Sequence, residues 1–150
     1  MKELTELEER DYENNIVDAL LEAADYYNRT DNTQPIVIKR GDKVMFEFTV
    51  APINEDVWRK CRKQNNKGRG RGGEDIDNSR MFAQAIYEAT IDEDKQRLWR
   101  NKEIQKRLNV GSGVDVVNLV LTAGEKLAII NVLEKMAGND VDMDDLLKKE

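Results

Sequence analysis

The first regular pattern along the chain is a run of apolar residues spaced three and four positions apart. Such spacing places side chains on one face of a helix, so the sequence predicts an amphipathic helix over residues 12–27 whose other face is acidic. The apolar members are Tyr12, Ile16, Ala19, Leu20, Ala23, Ala24 and Tyr27. Residues 28–34 are all polar and end this helix before Pro35.

A run with apolar residues at every second position follows, in which Val44, Phe46, Phe48 and Val50 alternate with Met45, Glu47 and Thr49. The apolar members from Val44 to Val50 lie at every second position, which is the period of a strand with one apolar face. An apolar triplet, residues 36–38, comes before it, and Gly41 between the two runs can supply the positive φ of a tight turn. We therefore predict a β-hairpin over residues 36–50, with Pro52 ending the second strand.

Beyond Pro52 the spacing becomes helical again, and capping residues mark the start of each helix. The predicted caps are Asn54, Asn78 or Ser79, Asn101, Ser112 and Thr122. The acidic run from Asp92 to Asp94 lies at a break between helices and is predicted to be a solvated turn. The final helix has apolar residues at Ile129, Val132, Leu133 and Met136, and Gly138 suits its C-terminal end.

These patterns predict an α+β fold that is mostly helical with one β-hairpin near residues 36–50. We expect residues 1–138 to form a single domain and residues 139–150 to form an acidic tail. The chain has 150 residues, about one domain. No apolar run approaches the ~18–20 residues of a membrane span, and the acidic start lacks the apolar core of a signal peptide. We therefore expect a soluble intracellular protein without a membrane partner.

Histidine is absent, and there is one cysteine, Cys61. A disulfide within the chain is therefore impossible, and a serine or cysteine relay that needs histidine cannot form. A structural zinc site, which needs four ligands that are usually Cys or His, is also excluded. Asp, Glu, Lys and Tyr could still support catalysis, but no spacing in the sequence favours it. We expect no enzyme activity, no cofactor and no metal.

Charge is distributed unevenly along the chain. Residues 1–34 carry a net charge of −7, and residues 140–150 carry −3. Between them, residues 59–71 contain seven bases and no acid. A basic middle between acidic ends favours either self-association or screening within the chain.

The glycine-rich motif from Gly68 to Gly73 resembles an arginine–glycine segment, which binds RNA through phosphate charge and guanidinium stacking. The alternative is a flexible basic loop between two helices. The segment from Gly68 to Gly73 has two arginines and no aromatic residue, so we prefer the loop and do not expect nucleic acid as a partner. Since residues 65–75 lack apolar side chains, we predict that residues 65–76 are mobile and dispensable for folding.

Three other motifs resemble ligand-binding sites, but ordinary structure explains each of them better. Gly111-Ser-Gly113 could cradle a phosphate, but no strand precedes it and Ser112 suits a helix cap. Asp140, Asp142 and Asp144 are spaced like the start of a calcium loop, but Asp145 occupies the position that requires glycine. The run from Asp92 to Asp94 is a solvated turn in preference to a metal site.

Three large aromatic residues, Trp58, Tyr87 and Trp99, follow helical spacing. Tryptophan is enriched at interface hot spots, although packing in the core explains the same spacing. Cys61 shares the stripe of Trp58 and is predicted to be a buried thiol. It would be reactive only if it were exposed to the neighbouring bases. We select Trp58, Arg62, Tyr87 and Trp99 as candidate partner-binding residues.

Several short motifs occur in an order that resembles the XkdN-like tail assembly chaperones of phages and prophages of Gram-positive hosts. The resemblance covers about residues 36–138. The motifs are Phe48–Ile53, Asp56–Arg62, Ser79–Met81, Ile86–Thr90, Leu98-Trp99, Asn101–Val110, Val116-Val117 and Leu121–Glu125, followed by the helix from Ile129 to Met136. The insert at residues 68–73 departs from the family pattern.

This resemblance implies a non-catalytic protein of the bacterial host cytoplasm that is absent from the mature virion. Its partners would be the tape measure protein, whose apolar helices it covers, and the tail tube protein, which it helps to recruit. Weak homo-oligomers would add avidity along the tape. Chaperones of this type often also occur as a frameshifted longer form, and Lys148-Lys149 suits a slippery codon run.

Two functions from other classes remain open. A regulator that binds nucleic acid through residues 59–73 would lose affinity steeply with salt. A hydrolase that uses carboxylates and lysine would need a pocket with paired acids of perturbed pKa.

Overall fold

A computed structural model describes residues 6–24, 32–68 and 76–138, with only the backbone for residues 6–14. The chain forms two compact units, Met1–Asn32 and Thr33–Glu150. The first contains α1, Glu6–Ala24, which starts six residues before the predicted helix. Residues 25–27 of the prediction lie outside the described part. The side chains of Ile16, Val17, Leu20 and Leu21 on α1 are exposed.

The second unit begins with the predicted hairpin, which is confirmed. Strand β1, Gln34–Arg40, pairs antiparallel with β2, Lys43–Val50. Gly41 has a φ of +63°, a conformation that glycine adopts without a steric cost. Met45 is the extra residue where the register shifts, because Ile38 faces Phe46 and Lys39 faces Val44. The apolar face of β2 is buried only towards its end.

The outer edge of β2 is covered by the segment that follows the third helix. The N–H of Ile91 donates to the carbonyl of Thr49 over 3.0 Å, and Arg97 donates to the carbonyl of Glu47 over 2.7 Å. The N–H of Thr49 donates to the carboxylate of Asp94 over 2.7 Å. These bonds satisfy the backbone groups that an edge strand normally leaves open.

The predicted solvated turn at residues 92–94 is wrong for Asp94. A short helix, α4 (Asp92–Asp94), continues as a π-helix, Lys95–Trp99. Asp94 is buried because its carboxylate accepts hydrogen bonds from the Thr49 amide and from Arg97. The other two acids of the run are exposed, as predicted.

Five longer helices complete the part of this unit that the structure describes. They are α2 (Glu55–Gln64), α3 (Asn78–Ala89), α5 (Lys102–Leu108), α6 (Gly113–Val120) and α7 (Ala123–Met136). The predicted caps at Asn54, Asn101, Ser112 and Thr122 are confirmed, and Thr122 forms a full capping box with Glu125. The cap of α3 is Asp77, not Asn78 or Ser79. The Asp77 carboxylate accepts from the amide of Arg80 over 3.1 Å.

The core lies around α3, which packs against α2, α6 and α7. Three alanines, Ala83, Ala85 and Ala89, are buried on α3, and small side chains let neighbouring helices approach closely. Trp99 closes the core on the hairpin side, where its ring lies edge-on to Phe48 at 5.3 Å and to Phe46 at 6.0 Å. The mostly helical α+β fold is therefore confirmed.

Among the described residues, no single helix is long and apolar enough to cross a membrane. The pair α6 and α7 meets the length and composition test together, with a bend of 115° between the two helices.

Candidate partner-binding site

Trp58 and Arg62, two of the predicted partner-binding residues, line one surface groove between α2 and α3. Glu55, Trp58, Arg59 and Arg62 lie on one face of α2 because three and four residues separate them. Met81 contributes the side of the groove on α3. The groove has a volume of about 300 Å³, with Trp58 and Met81 as its apolar part.

The indole N–H of Trp58 is an unusual polar group. Its nitrogen is buried, and no hydrogen-bond acceptor for it lies among the described residues. A buried donor without an acceptor costs free energy, about 1–3 kcal/mol.

Acidic residues in the first turn of α2 form ion pairs with Arg59 at the rim of the groove. Arg59 makes ion pairs with Glu55 over 3.6 Å and with Asp56 over 3.0 Å. Both acids also suit the N-terminal end of the helix dipole. Asn54 accepts from the amide of Val57 over 3.0 Å and sets where the helix begins. The rim therefore carries both signs of charge.

Beneath the groove, a buried amide network joins α2 to α3. Asn65 donates to Gln84 and to the carbonyl of Cys61, each over 2.7 Å, and Gln84 donates to Gln64. Asn65 and Gln84 are both buried. A fully bonded polar network fixes the two helices relative to each other, so the groove has a preformed shape.

Cys61 is not among the residues that line the groove, and the predicted buried thiol is confirmed with an exposure of 0%. Burial, reinforced by the charge of Glu88, raises the pKa of the Cys61 thiol to about 11. The thiolate form is therefore scarce at neutral pH, which argues against a reactive role.

Tyr87 lies away from the groove, in a site where packing holds its ring. Its hydroxyl accepts from Arg100 over 2.6 Å, and Lys95 lies 5.4 Å from the ring centre. A Cβ atom at Gly113 would lie 2.5 Å from the ring, so only glycine fits there. Tyr87 is half-buried and keeps a surface that a partner could contact.

Trp99, the fourth predicted residue, is 2% exposed and belongs to the core. Its indole N–H donates to the hydroxyl of Thr90 over 3.0 Å, so the polar group is satisfied internally. A partner could not reach this side chain without opening the fold. The structure therefore brings Trp58 and Arg62 together and separates Tyr87 and Trp99 from them.

The basic segment is partly neutralised where the structure describes it. Lys60 pairs with Glu88 over 3.7 Å, and Lys67 pairs with Asp77 over 3.5 Å. Residues 69–75 lie outside the described part. The two ends of the segment are packed, because Asn65 is buried and Asn66 forms a β-bridge with Ile76. This differs from the prediction that all of residues 65–76 are mobile.

The remaining motifs behave as ordinary structure where they are described. Ser112 accepts from the amide of Asp115 over 3.2 Å and so caps α6. Asp115 also receives a hydrogen bond from Arg80, which lowers the pKa of its carboxyl. Within residues 15–24, 32–68 and 76–138, no group of three potential ligands could hold a metal ion. The acids from Asp140 to Asp144 lie outside these residues.

Besides Asp94, sequence reasoning missed a second buried charge, Lys126, whose exposure is 3%. Its ammonium donates to Ser79 over 2.8 Å and to Asn118. Burial lowers the pKa of Lys126, and nearby Asp77 partly opposes this. The sequence pattern could have indicated this burial, because Lys126 precedes Ile129, Ile130 and Leu133 at the spacing of one buried helix face.

Comparison with known proteins gives one family and one solved structure. The model of the phage XkdN-like tail assembly chaperone proteins matches residues 17–150, beyond the range of the sequence motifs at both ends. No curated protein sequence matches the chain. A crystal structure titled as that of the protein yqbn is similar, with 18% identity and a TM-score of 0.44, and the match covers 74% of this chain and 90% of that one.

Proposed function

Because this chain belongs to the phage XkdN-like tail assembly chaperone family, we propose that it binds the tape measure protein and helps recruit tail tube subunits. It covers apolar helices of the tape measure protein until the tube encloses them, since exposed surface of that kind aggregates. It acts in the host cytoplasm without catalysis or cofactor, in weak homo-oligomers, and leaves before the virion is complete.

The observation that carries this proposal is the groove in which Trp58 and Met81 form an apolar part beside Arg59 and Arg62. Tryptophan and arginine are the residue types that dominate interface hot spots. A client helix laid in the groove would bury an apolar side chain against Trp58 and Met81. The charged flanks of the same helix would meet Arg62 at the rim.

The experiment is co-expression with the cognate tape measure protein, followed by co-purification and titration. We expect the chaperone to raise the soluble fraction of the tape measure protein. Trp58→Ala should weaken binding by about 30-fold, the loss of a typical hot spot of ~2 kcal/mol. Trp58→Phe keeps part of the apolar area, so it should give an intermediate loss.

Leu127→Ala is the matched control, because Leu127 is an exposed apolar side chain on α7, outside the groove. It should bind like the natural chain. Failure of an authentic tape measure protein to co-purify at low and moderate salt contradicts the proposal. Binding of nucleic acid at physiological salt, with affinity falling steeply as salt rises, would instead favour the regulator. A tube gene upstream and a long tape measure gene downstream would support the chaperone.

A further inference from the structure

The outer edge of β1 carries backbone groups that the hairpin does not use. Pro35 faces Thr49, whose N–H and carbonyl bond away from β1. This pair is therefore of the non-hydrogen-bonded kind, and so is every second pair along β1. The amides and carbonyls of Val37 and Lys39 accordingly point away from β2. Within residues 32–68 and 76–138, no hydrogen bond to these groups is found.

A groove of about 270 Å³ lies between this edge and α7. Residues 35–39 line one side, and Glu125, Ala128, Ile129 and Val132 line the other. The helix side is apolar except for Glu125, so it suits apolar side chains. An added strand needs backbone donors and acceptors together with a wall for its side chains, and this edge offers both.

Val37 lies at the centre of the edge, and its side chain is 46% exposed. Native edge strands are normally protected by a covering segment, as β2 is, or by proline and charged side chains. On β1 the described residues place these protections at the ends, with Pro35 at one end and Lys39 and Arg40 at the other. The middle of the edge is therefore open to pairing.

A second copy of β1 in antiparallel orientation matches this edge. When Val37 of one copy lies opposite Val37 of the other, the two residues exchange both of their backbone bonds. Lys39 then lies opposite Pro35 of the second copy, and its N–H can donate to the proline carbonyl. That carbonyl is accessible, because it accepts from the exposed side-chain amide of Gln34 over 3.2 Å. The missing N–H of proline costs one bond at each end of the pair.

Charge favours this arrangement over a parallel one. Because Lys39 lies opposite Pro35, the Lys39 residues of the two copies are separated by about 13 Å along the strands, at ~3.3 Å per residue. A parallel pair would place Lys39 directly beside Lys39, and like charges directly opposite destabilise a sheet. The neighbouring Arg40 is already paired with Glu125 of its own chain over 2.9 Å.

We propose that two copies of this chain associate through the outer edges of β1, antiparallel and with Val37 on the two-fold axis, so that their hairpins form one continuous sheet. Each β1 enters the groove beside α7 of the other copy, where Ile36 meets the wall of Ala128 and Val132. Such a contact uses the same patch on both copies and closes as a dimer. The inference goes beyond the proposed function, because it assigns a surface to the homo-oligomers and does not depend on binding of the tape measure protein.

Opposite charges introduced at position 37 test both the surface and the register. The natural chain should dimerise reversibly, with a dimer fraction that rises between about 10 μM and 1 mM in sedimentation equilibrium. Val37→Asp alone and Val37→Lys alone each bring like charges together on the two-fold axis, so each should weaken dimerisation about tenfold. An equal mixture of the two variants should restore dimers, because opposite charges then meet.

Val44→Asp is the matched control, since it makes the same change at an exposed valine of β2, away from the outer edge of β1. It should dimerise like the natural chain. Trp58→Ala should do so too, which separates dimerisation from binding of the tape measure protein. Far-UV circular dichroism is used to check that each variant is folded.

A natural chain that stays monomeric over this concentration range overturns the proposal. An equal effect of Val44→Asp, or a mixture of the two Val37 variants that stays monomeric, overturns it as well. A monomeric chain that loses binding to the tape measure or tube protein in Val37→Asp would assign the edge to that partner, and this too overturns pairing between two copies.

Discussion

At the scale of single residues, Trp99 and Trp58 differ in what surrounds their indoles. Trp99 is enclosed by the hairpin and hydrogen-bonded to Thr90, whereas Trp58 is half-buried at a groove. Trp99→Ala should therefore lower the free energy of unfolding by about 3–5 kcal/mol, and Trp58→Ala by about 1 kcal/mol or less. Urea denaturation of both variants measures this. Equal losses would show that Trp58 belongs to the core.

The buried Lys126 predicts a pH dependence of stability. Because burial lowers its pKa, the folded chain releases this proton at a lower pH than the unfolded chain does. The part of the stability that Lys126 contributes should therefore rise with pH as the solution passes the folded pKa towards the ordinary value of 10.5, whereas the raised pKa of Cys61 contributes a slope of the opposite sign. Lys126→Met should remove that part of the slope in denaturation curves at alkaline pH. Lys135→Met, at an exposed position of the same helix, is the control and should retain it.

At the scale of elements, the start of α6 depends on a glycine that has no room for a side chain. A Cβ atom at Gly113 would clash with the ring of Tyr87, which Arg100 and Lys95 hold in place. Gly113→Ala should lower the free energy of unfolding by about 1–3 kcal/mol through this overpacking. Thermal and urea unfolding measure the loss.

The matched control is Gly124→Ala in the first turn of α7, where a Cβ atom would meet nothing within 4 Å. Alanine is the better helix former, so this change should raise stability by about 0.5–1 kcal/mol. A loss at Gly124, or no loss at Gly113, would contradict the packing that the structure gives to these two helix starts.

Some features of these elements could be predicted from local sequence patterns, and others could not. The caps at Asn54 and Thr122 were predictable because each bonds to an amide three residues away. The role of Asp94 was not, because its partner Thr49 is 45 residues distant and no local pattern encodes that contact. The cap of α3 was misplaced by one residue because Asp77, Asn78 and Ser79 are all good capping residues.

At the scale of the whole molecule, the hairpin and the core helices followed from periodicity, since period 2 and period 3.6 record which faces are buried. The grooves did not follow, because each lies between elements that are distant in sequence. Trp58 and Arg62 could be paired from their spacing on one helix, but Met81 joins them only through packing of α2 on α3. Burial in the structure distinguishes Trp99 from the candidate residues that reach the surface. Helical spacing in the sequence could not make that distinction.

The last prediction concerns how the second unit tolerates change in its basic loop. The packed ends of this loop are Asn65, which bonds to Gln84, and Ile76, which bridges to Asn66. Between them, residues 69–75 contain no apolar side chain, and closing a shorter loop costs little entropy. Replacing residues 69–75 by three glycines should therefore leave the melting temperature nearly unchanged. Asn65→Ala should lower stability by about 1–3 kcal/mol, because it leaves the buried amide of Gln84 without its partner. Thermal unfolding followed by circular dichroism compares the two variants with the natural chain. A loss of several kcal/mol in the shortened chain would show that residues 69–75 contribute to packing.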